Sequence, residues 1–260
     1  MALATWQAPV RLVGNAIGTD EAASVIRETV ARYPSLESRW VRSDPDVQTP
    51  TCDCYITPDG NRTMFGSGFA TMSVDVIPPE VWENAIAFTA DCNPGQASVN
   101  ACRAAAEAGV PVIAMDLTED DDACRAADII LTSSDVLQEH DLSKLARRAE
   151  RLRDWWDCHV ILTAGEQGAV LAMHGNGPVV HVPAYEAPVI VDGTGCGDAF
   201  RAGLIYGHYL MEWDLVEAMR FGASAAALNL GVRGANAGIQ PLARVLEFAA
   251  EARTHPVHHF

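Results

Sequence analysis

The chain has 260 residues, of which 49% are apolar, and it carries a formal net charge of −16. This negative charge argues against nucleic acid or an anionic membrane as a partner, because both bind through clustered positive charge. No apolar run reaches the roughly 20 residues needed to cross a bilayer, and the start of the chain lacks a secretory leader pattern. The sequence therefore predicts a cytoplasmic protein with one domain, residues 1–260.

The lysines and cysteines limit which kinds of phosphate site and metal site the sequence predicts. Lys144 is the only lysine and has no glycine nearby, so the lysine-bearing phosphate loop of P-loop NTPases is excluded. The seven cysteines are mostly scattered, which is typical of reduced thiols in a cytosolic protein. Cys52 and Cys54 would share one face of a strand, but no second pair of ligands at zinc-finger spacing supports a metal site there.

The first 80 residues contain the pattern of a strand, a helix and a hairpin. Val10–Val13 is strand-like, and a helical pattern covers Asp20–Tyr33, beginning with a favourable cap. Two β-like runs, Cys52–Thr57 and Arg62–Phe65, flank the turn sequence Pro-Asp-Gly-Asn. Such residues favour a tight turn, so the pattern predicts a hairpin within residues 49–66.

From residue 79 onward, strand-like and helical segments alternate. The predicted strands are Ala85–Thr89, Val110–Met115, Asp128–Leu131, His159–Thr163, Ala169–Met173, Val179–Val182 and Val189–Val191. The predicted helices are Gly95–Ala108, Asp122–Ala127, Asp141–Asp154, Ala199–Leu210, Leu215–Leu230 and Pro241–Ala252. This alternation predicts an α/β fold in which helices cover both faces of a mostly parallel sheet.

Three polar segments follow predicted strands of this sheet. They are Thr132–Asp135, Thr163–Gly168 and the glycine turn 193–197. In open α/β sheets, ligands bind in the crevice beyond the carboxyl ends of the strands. We therefore expect the functional site at that edge, although each segment alone is compatible with ordinary turn chemistry.

The glycine turn holds the clearest chemical signal. Gly193, Gly195 and Gly197 remove side chains at alternate positions, so the backbone can approach a ligand closely. The first amides of the following helix lack helical partners and favour an anion. Asp198 lies among these donors, where its carboxylate could take a proton from an attacking hydroxyl during phosphoryl transfer. The alternative is a tight connection in which Asp198 is an ordinary cap.

The run Asp192-Gly-Thr-Gly-Cys-Gly-Asp198-Ala-Phe-Arg-Ala-Gly203 resembles the C-terminal signature of the ribokinase-like (PfkB) carbohydrate kinases. The resemblance extends from about Val10 to the C-terminus. It implies an ATP-dependent kinase that phosphorylates a hydroxyl of a sugar or related small alcohol, with a nucleoside as another candidate. It also implies that Asp198 is the catalytic base and that Gly195, Cys196 and Gly197 help to form the anion hole.

The same resemblance implies cofactor contacts. The residues implied at the ATP site are Thr163, Gly165, Gly168, Thr194 and Asn229. Those implied around a monovalent cation, usually potassium, are Asp192, Thr194 and Gly234. The family's magnesium motif, Asn-x-x-Glu, corresponds to Ser133–Val136, where Asp135 lies one residue from the glutamate position and is the candidate magnesium ligand. The hairpin within 49–66 resembles a small lid over the sugar, and Arg62 and Asp116 are candidate acceptor contacts.

Two departures from the family keep a second function open. Family members begin with a strand, lid strands and a Gly-Gly segment that grips the sugar, and Met1 falls after all of these. We expect the exposed sheet edge to be covered in another way, for example in a homodimer. A nucleotide-binding relative that has lost catalysis, or a wrongly assigned start of the chain, would also fit. A dinucleotide-dependent dehydrogenase is disfavoured, because its Gly-x-Gly-x-x-Gly turn lies early in a βαβ unit.

Overall fold

The computed structural model describes residues 1–56, 62–69, 77–91, 96–116, 124–252 and 257–260. The helices are α1 (Ala2–Thr5), α2 (Glu21–Ala31), α3 (Gln96–Glu107), α4 (Ser134–Leu137), α5 (Leu142–Trp156), α6 (Cys196–Ile205), α7 (Leu215–Asn229) and α8 (Leu242–Ala252). The strands are β1 (Val10–Val13), β2 (Leu36–Trp40), β3 (Thr51–Ile56), β4 (Arg62–Ser67), β5 (Phe88–Asp91), β6 (Val112–Met115), β7 (Ile129–Ser133), β8 (His159–Thr163), β9 (Ala169–Ala172), β10 (Val179–Val182) and β11 (His258–His259).

These elements form two compact units. The smaller unit contains Met1 and Pro9–Val81, and the larger unit contains Ala2–Ala8 and Trp82–Phe260. In the part of the chain that the structure describes, no helix is both long and apolar enough to cross a membrane.

The smaller unit contains a parallel pair, β1 and β2, and an antiparallel hairpin, β3 and β4. Helix α2 begins after Asp20, whose side chain accepts a hydrogen bond from the Ala23 amide at 2.9 Å. This cap satisfies one of the amides left free at a helix start, as the sequence predicts. The two hairpin strands are confirmed, whereas the turn predicted at 58–61 lies outside the described residues.

The larger unit is built on a seven-stranded sheet in the order β11-β10-β9-β8-β7-β6-β5. Strands β5 to β8 run parallel to one another, and β9, β10 and β11 add to that sheet in antiparallel orientation. The central strands are rich in Val, Ile and Leu and are buried on both faces, as expected of parallel strands covered by helices. The predicted α/β class is confirmed.

Helices cover both faces of this sheet, and the strand residues alternate between two cores. On one face, Val160 and Leu162 pack in a cluster with α3 and α5. On the other face, Ile113, Leu131 and Ile161 pack in a cluster with α6 and α7. Because successive side chains of a strand point to opposite faces, both faces of the sheet pack against helices. This packing sets the position of the start of α6 relative to the strand ends.

Several elements differ from the sequence prediction. The strand predicted at Val189–Val191 is wrong, because this segment pairs with no strand and is exposed, while the Val191 amide donates to Leu230 O at 2.8 Å. The helix predicted at Asp122–Ala127 is only a 3₁₀ turn over Cys124–Ala126 in its described part. Strands β2 and β11 and the one-turn helix α4 were not predicted.

Candidate active site

The carboxyl ends of the four parallel strands lie side by side in the larger unit. Asp91 at the end of β5 pairs with Met115 of β6, which pairs with Leu131 of β7. Ser133 at the end of β7 pairs with Thr163 at the end of β8. The polar segments that follow these strands are therefore brought to one edge, which is where ligands bind in sheets of this class.

Asp192 connects the glycine turn to the loop 231–238, which follows α7. Its Oδ1 accepts a hydrogen bond from the Thr194 amide at 2.9 Å, and its Oδ2 accepts one from the Gly234 amide at 2.9 Å. Hydrogen bonds to a carboxylate are among the stronger ones in proteins. The three residues assigned to a monovalent cation from the sequence are thus neighbours in the structure.

Asn229, the last residue of α7, holds the same two segments from the inside. Its Nδ2 donates to Thr194 O at 3.3 Å and to Ala235 O at 3.1 Å. The residue is fully buried, and its Oδ1 has no hydrogen-bond partner among the described residues. Since Asn229 presents no surface to a ligand, what it contributes to this region is the position of the turn and the loop.

Gly195 lets the turn approach that loop closely. Its φ is +77°, and a Cβ added there would lie 2.7 Å from the carbonyl carbon of Ala235 and closer still to its oxygen. Only glycine adopts this conformation without strain and leaves room for the carbonyl. A Cβ added to Gly193, two residues earlier, would meet no described atom within 4 Å. Packing in the described structure therefore requires glycine at position 195 but not at position 193.

Helix α6 begins with unpaired amide donors. The Cys196 amide reaches Gly193 O at 3.3 Å, and the Ala199 amide reaches Gly195 O at 2.9 Å. The amides of Gly195, Gly197 and Asp198 have no acceptor among the described residues. Three free donors and the positive end of the helix dipole favour a negatively charged group at this point.

Asp198 lies in the first turn of α6, where its side chain is 64% exposed. Its Oδ1 accepts a hydrogen bond from Arg201 Nη2 at 2.7 Å, and Arg201 Nη1 donates to Asp91 Oδ1 at 2.8 Å. One guanidinium therefore bridges the carboxylate at the end of β5 and the carboxylate beside the free amides. An exposed carboxylate beside free amide donors has the geometry to accept a proton from a hydroxyl bound there.

Asp116 adds a third carboxylate to this region. It follows β6 with a left-handed φ of 58°, and its Oδ1 is buried without a hydrogen-bond partner in the described chain. Burial raises the pKa of the Asp116 carboxyl, and the negative charges of Asp91 and Asp198 raise it further, while Arg201 opposes them. The strand ends therefore carry net negative charge around one guanidinium.

The turn after β8 contains the other predicted nucleotide contacts. Thr163 ends the strand, and the Ala164 amide donates to Gly168 O at 2.7 Å. Gly165 and Gly168 have φ values of +53° and +91°. A Cβ on Gly168 would lie 2.6 Å from the Ala184 amide nitrogen, whereas one on Gly165 would meet no atom of the described residues within 4 Å.

Asp135 lies in the first turn of α4, and its side chain is 85% exposed. Its Oδ1 is 3.9 Å from His140 Nδ1. The preceding Ser133 caps α4 by accepting a hydrogen bond from the Val136 amide. Across the residues that the structure describes, no group of three or more His, Cys, Asp or Glu side chains could hold a metal ion.

Two residues that bear on the site, Arg201 and Asp91, were not predicted from the sequence. Arg201 follows Asp198 by three positions in a predicted helix, and residues so spaced are neighbours on a helix surface. This spacing could have identified Arg201 as a partner of Asp198. Asp91 carried no comparable signal, because its contact with Arg201 spans 110 positions of the chain.

Comparison with known proteins gives the family. The model of the pfkB family carbohydrate kinases matches residues 1–241. Ribokinase of Haemophilus influenzae is 30% identical over 123 residues, which cover 47% of this chain and 38% of that protein. The chain spans less than half the length of the curated relatives it matches.

Solved structures agree on the fold. Arabidopsis thaliana ribokinase, in a complex with ribose and ATP, is 20% identical and superposes with a TM-score of 0.84 over 95% of this chain and 84% of that one. A Burkholderia thailandensis nucleoside kinase in complex with inosine is 22% identical, with a TM-score of 0.72 over 98% of this chain and 84% of that one. With its ribokinase-like fold and a family match over most of its length, this chain belongs to the pfkB family of carbohydrate kinases.

Proposed function

We propose that this protein is an ATP-dependent kinase that transfers the terminal phosphoryl group to a hydroxyl of an uncharged sugar or nucleoside. The observation that carries the proposal is the start of α6. There the amides of Gly195, Gly197 and Asp198 lack acceptors among the described residues, and an exposed carboxylate lies beside them. Donors that stabilise a developing negative charge, next to a base for the attacking hydroxyl, are two features that sites of phosphoryl transfer use.

In this proposal, Asp198 acts through its second oxygen. Oδ1 is held by Arg201, whereas Oδ2 has no hydrogen bond from any described residue. Asp198 Oδ2 takes the proton of the acceptor hydroxyl as that oxygen attacks the terminal phosphorus of ATP, and the bond from this phosphorus to the bridging oxygen breaks, so that ADP leaves with that oxygen. The amides of Gly195 and Gly197 hold the oxygens of the transferring group, and Cys196 contributes its backbone to the same turn.

The proposed nucleotide contacts follow the turns at the carboxyl edge. Thr163, Gly165 and Gly168 would border the nucleotide from a tight connection, in which the described residues leave open space beside Gly165. Ile190, which is 76% exposed just before the glycine turn, offers apolar surface for a base. Thr194 belongs to the turn, and Asn229 holds that turn in place from a buried position.

Two cations belong to this proposal. Asp192, Thr194 and Gly234 would hold a potassium ion, and the unpaired buried Oδ1 of Asn229 adds an oxygen to the region where those segments meet. Oxygen donors of this kind suit alkali ions. Asp135 would contact magnesium on ATP through an exposed carboxylate, a hard ligand that suits this ion. Together the two ions would offset the negative charge of the ATP phosphates, which the few basic residues of the chain do not offset.

The charge of the strand ends supports an uncharged acceptor. Asp91, Asp116 and Asp198 bring three carboxylates to one guanidinium, so an acceptor that carries a carboxylate or phosphate would meet repulsion. Hydroxyls of a sugar or a nucleoside instead find acceptors for their hydrogen bonds. A lid role for β3 and β4, and contacts from Arg62, stay predictions from the family resemblance.

The test is transfer of labelled phosphate from [γ-³²P]ATP to D-ribose, D-fructose, adenosine and inosine, with magnesium and potassium present. We expect at least one labelled product with the wild-type protein. Asp198→Asn should lower the rate by about 10²–10⁴, the usual effect of losing a positioned base. The matched control is Asp214→Asn, because Asp214 also lies at a helix start, where it caps α7, and should keep the wild-type rate.

A second function has one observation in its favour. The family glutamate position is occupied by Val136, an apolar side chain that is 41% exposed. A nucleotide-binding protein without kinase activity would bind an ATP analogue in calorimetry and label none of the four acceptors. That combination of results would replace the kinase proposal with this second one.

A further inference from the structure

Arg201 connects two carboxylates that belong to different elements. It lies on α6 one turn after Asp198, and only 13% of its side chain is exposed. Nη2 donates to Asp198 Oδ1 at 2.7 Å, and Nη1 donates to Asp91 Oδ1 at 2.8 Å. The bridge therefore attaches the exposed Asp198 side chain to the end of strand β5.

The bridge depends on the shape of the arginine side chain. A guanidinium presents several N–H donors in a fixed plane, so it can hold two carboxylates at once in a defined geometry. A lysine ammonium is a single point charge on a flexible stem and would not fix both partners. Because the Arg201 side chain is largely buried, its ion pairs are screened less by solvent than a surface pair.

Without Arg201, Asp198 would face only like charge from its carboxylate neighbours. The charges of Asp91 and Asp198 both raise the pKa of the Asp116 carboxyl, so Asp116 interacts with each of them, and Arg201 is the cation that opposes this effect. Unopposed, the repulsion would favour conformations in which the Asp198 side chain turns toward solvent.

We propose that Arg201 is a positioning residue for Asp198, which it fixes through Oδ1 so that Oδ2 is left to take the proton of the acceptor hydroxyl. Asp91 is the anchor that holds Arg201 in place. The role assigned to Oδ2 rests on the proposed kinase function, whereas the fixing of Oδ1 does not.

The kinetic test compares Arg201→Met, which removes the charge but keeps the bulk, with Arg201→Lys and Asp91→Asn. We expect Arg201→Met to lower kcat by about 10²-fold, as small misplacements of a catalytic group do, with the KM for ATP changed less than about twofold. Arg201→Lys and Asp91→Asn should give smaller losses in kcat. A wild-type kcat in Arg201→Met, or a rise in KM for ATP with kcat unchanged, would overturn the proposal.

The matched control is Arg220→Met on α7. Arg220 is 11% exposed and pairs with Glu217 three positions earlier, at 3.9 Å from Nε to Oε1. It therefore shares the burial and the helical spacing of Arg201 but contacts neither Asp91 nor Asp198 in the described structure. The kcat of Arg220→Met should stay near the wild-type value. A loss of kcat as large as that of Arg201→Met would contradict a specific role for Arg201, because it would mean that the loss of any buried arginine lowers kcat to this extent.

A second measurement separates this proposal from the kinase assignment. In crystal structures of Arg201→Met and Asp91→Asn, the Asp198 carboxylate should move by about 1 Å or more, or occupy several rotamers. An unmoved carboxylate in both variants would refute the positioning role. If the wild-type protein labels none of the four acceptors, the kinase proposal fails, and the position of Asp198 in these crystals still decides the role of Arg201.

Discussion

Replacement of Gly195 by alanine tests whether the glycine turn needs its close approach to loop 231–238. The residue has a φ of +77°, which disfavours any L side chain by about 1–2 kcal/mol. The new methyl group would also lie 2.7 Å from the Ala235 carbonyl carbon, inside the 3.0 Å that real Cβ atoms respect. Because backbone blocks it on that side, the turn and the loop must separate.

The separation would break specific hydrogen bonds that hold the turn and the loop together. The bond from the Gly234 amide to Asp192 Oδ2 crosses the gap. Asn229 Nδ2, which donates to both Thr194 O and Ala235 O, would lose one of these two bonds as the segments separate. A neutral bond contributes about 1 kcal/mol and one to a carboxylate about 1.5–3 kcal/mol. With the backbone term, Gly195→Ala should lower the free energy of unfolding by about 4 kcal/mol. For a chain of this size that corresponds to a Tm lower by about 10 °C.

Scanning calorimetry measures the Tm, and isothermal calorimetry measures the Kd of a non-hydrolysable ATP analogue. Gly193→Ala is the control, because a Cβ there meets nothing within 4 Å, and it should change stability by no more than about 0.5 kcal/mol. Gly195→Ala should also weaken analogue binding, since the free amides at the start of α6 follow the turn. Equal Tm and Kd values for the two variants would refute the role given to this close approach.

Two further predictions concern the same edge of the sheet. Asp116→Asn should raise the Tm at pH 7, because the raised pKa of Asp116 means that its charged form destabilises the folded state. The gain should shrink as the pH falls through that raised pKa, because the wild-type side chain then becomes protonated and loses its charge. Asparagine tolerates the left-handed backbone at this position, and a gain that grows on acidification would contradict the assignment. Gly168→Ala should destabilise by about 3 kcal/mol or more, since its Cβ meets backbone 2.6 Å away, whereas Gly165→Ala should lose only the backbone term of about 1–2 kcal/mol. Equal Tm values for these two variants would contradict that difference.

The sequence predicted the centre of the fold because local pattern and tertiary structure agree there. The β-branched runs in β6, β7 and β8 alternate with helical segments, and a parallel sheet with helices on both faces satisfies both periodicities. Val189–Val191 has the same composition but is not a strand, because no neighbouring strand pairs with it. Strand propensity reflects how well a residue fits a half-buried, paired strand, and it does not indicate whether a neighbouring strand is present to pair with.

The parts of the candidate site that could be predicted are those formed by residues close together in the sequence. The glycine spacing and Asp198 identified the turn and its free amides, because both follow from a helix start. The bridge from Arg201 to Asp91 and the buried bonds of Asn229 connect segments far apart in the chain. Such contacts depend on how the elements pack, so a single sequence indicates which residues are polar but not which of them meet.

The proposed phosphoryl transfer is tested most directly by determining where the terminal phosphate of ATP binds. A crystal structure with a non-hydrolysable ATP analogue, magnesium and potassium should place an oxygen of the terminal phosphate about 3 Å from the amide nitrogens of Gly195, Gly197 or Asp198. The Asp198 carboxylate should lie on the acceptor side of that group. A terminal phosphate bound away from the start of α6 would contradict the proposed phosphoryl transfer at this site.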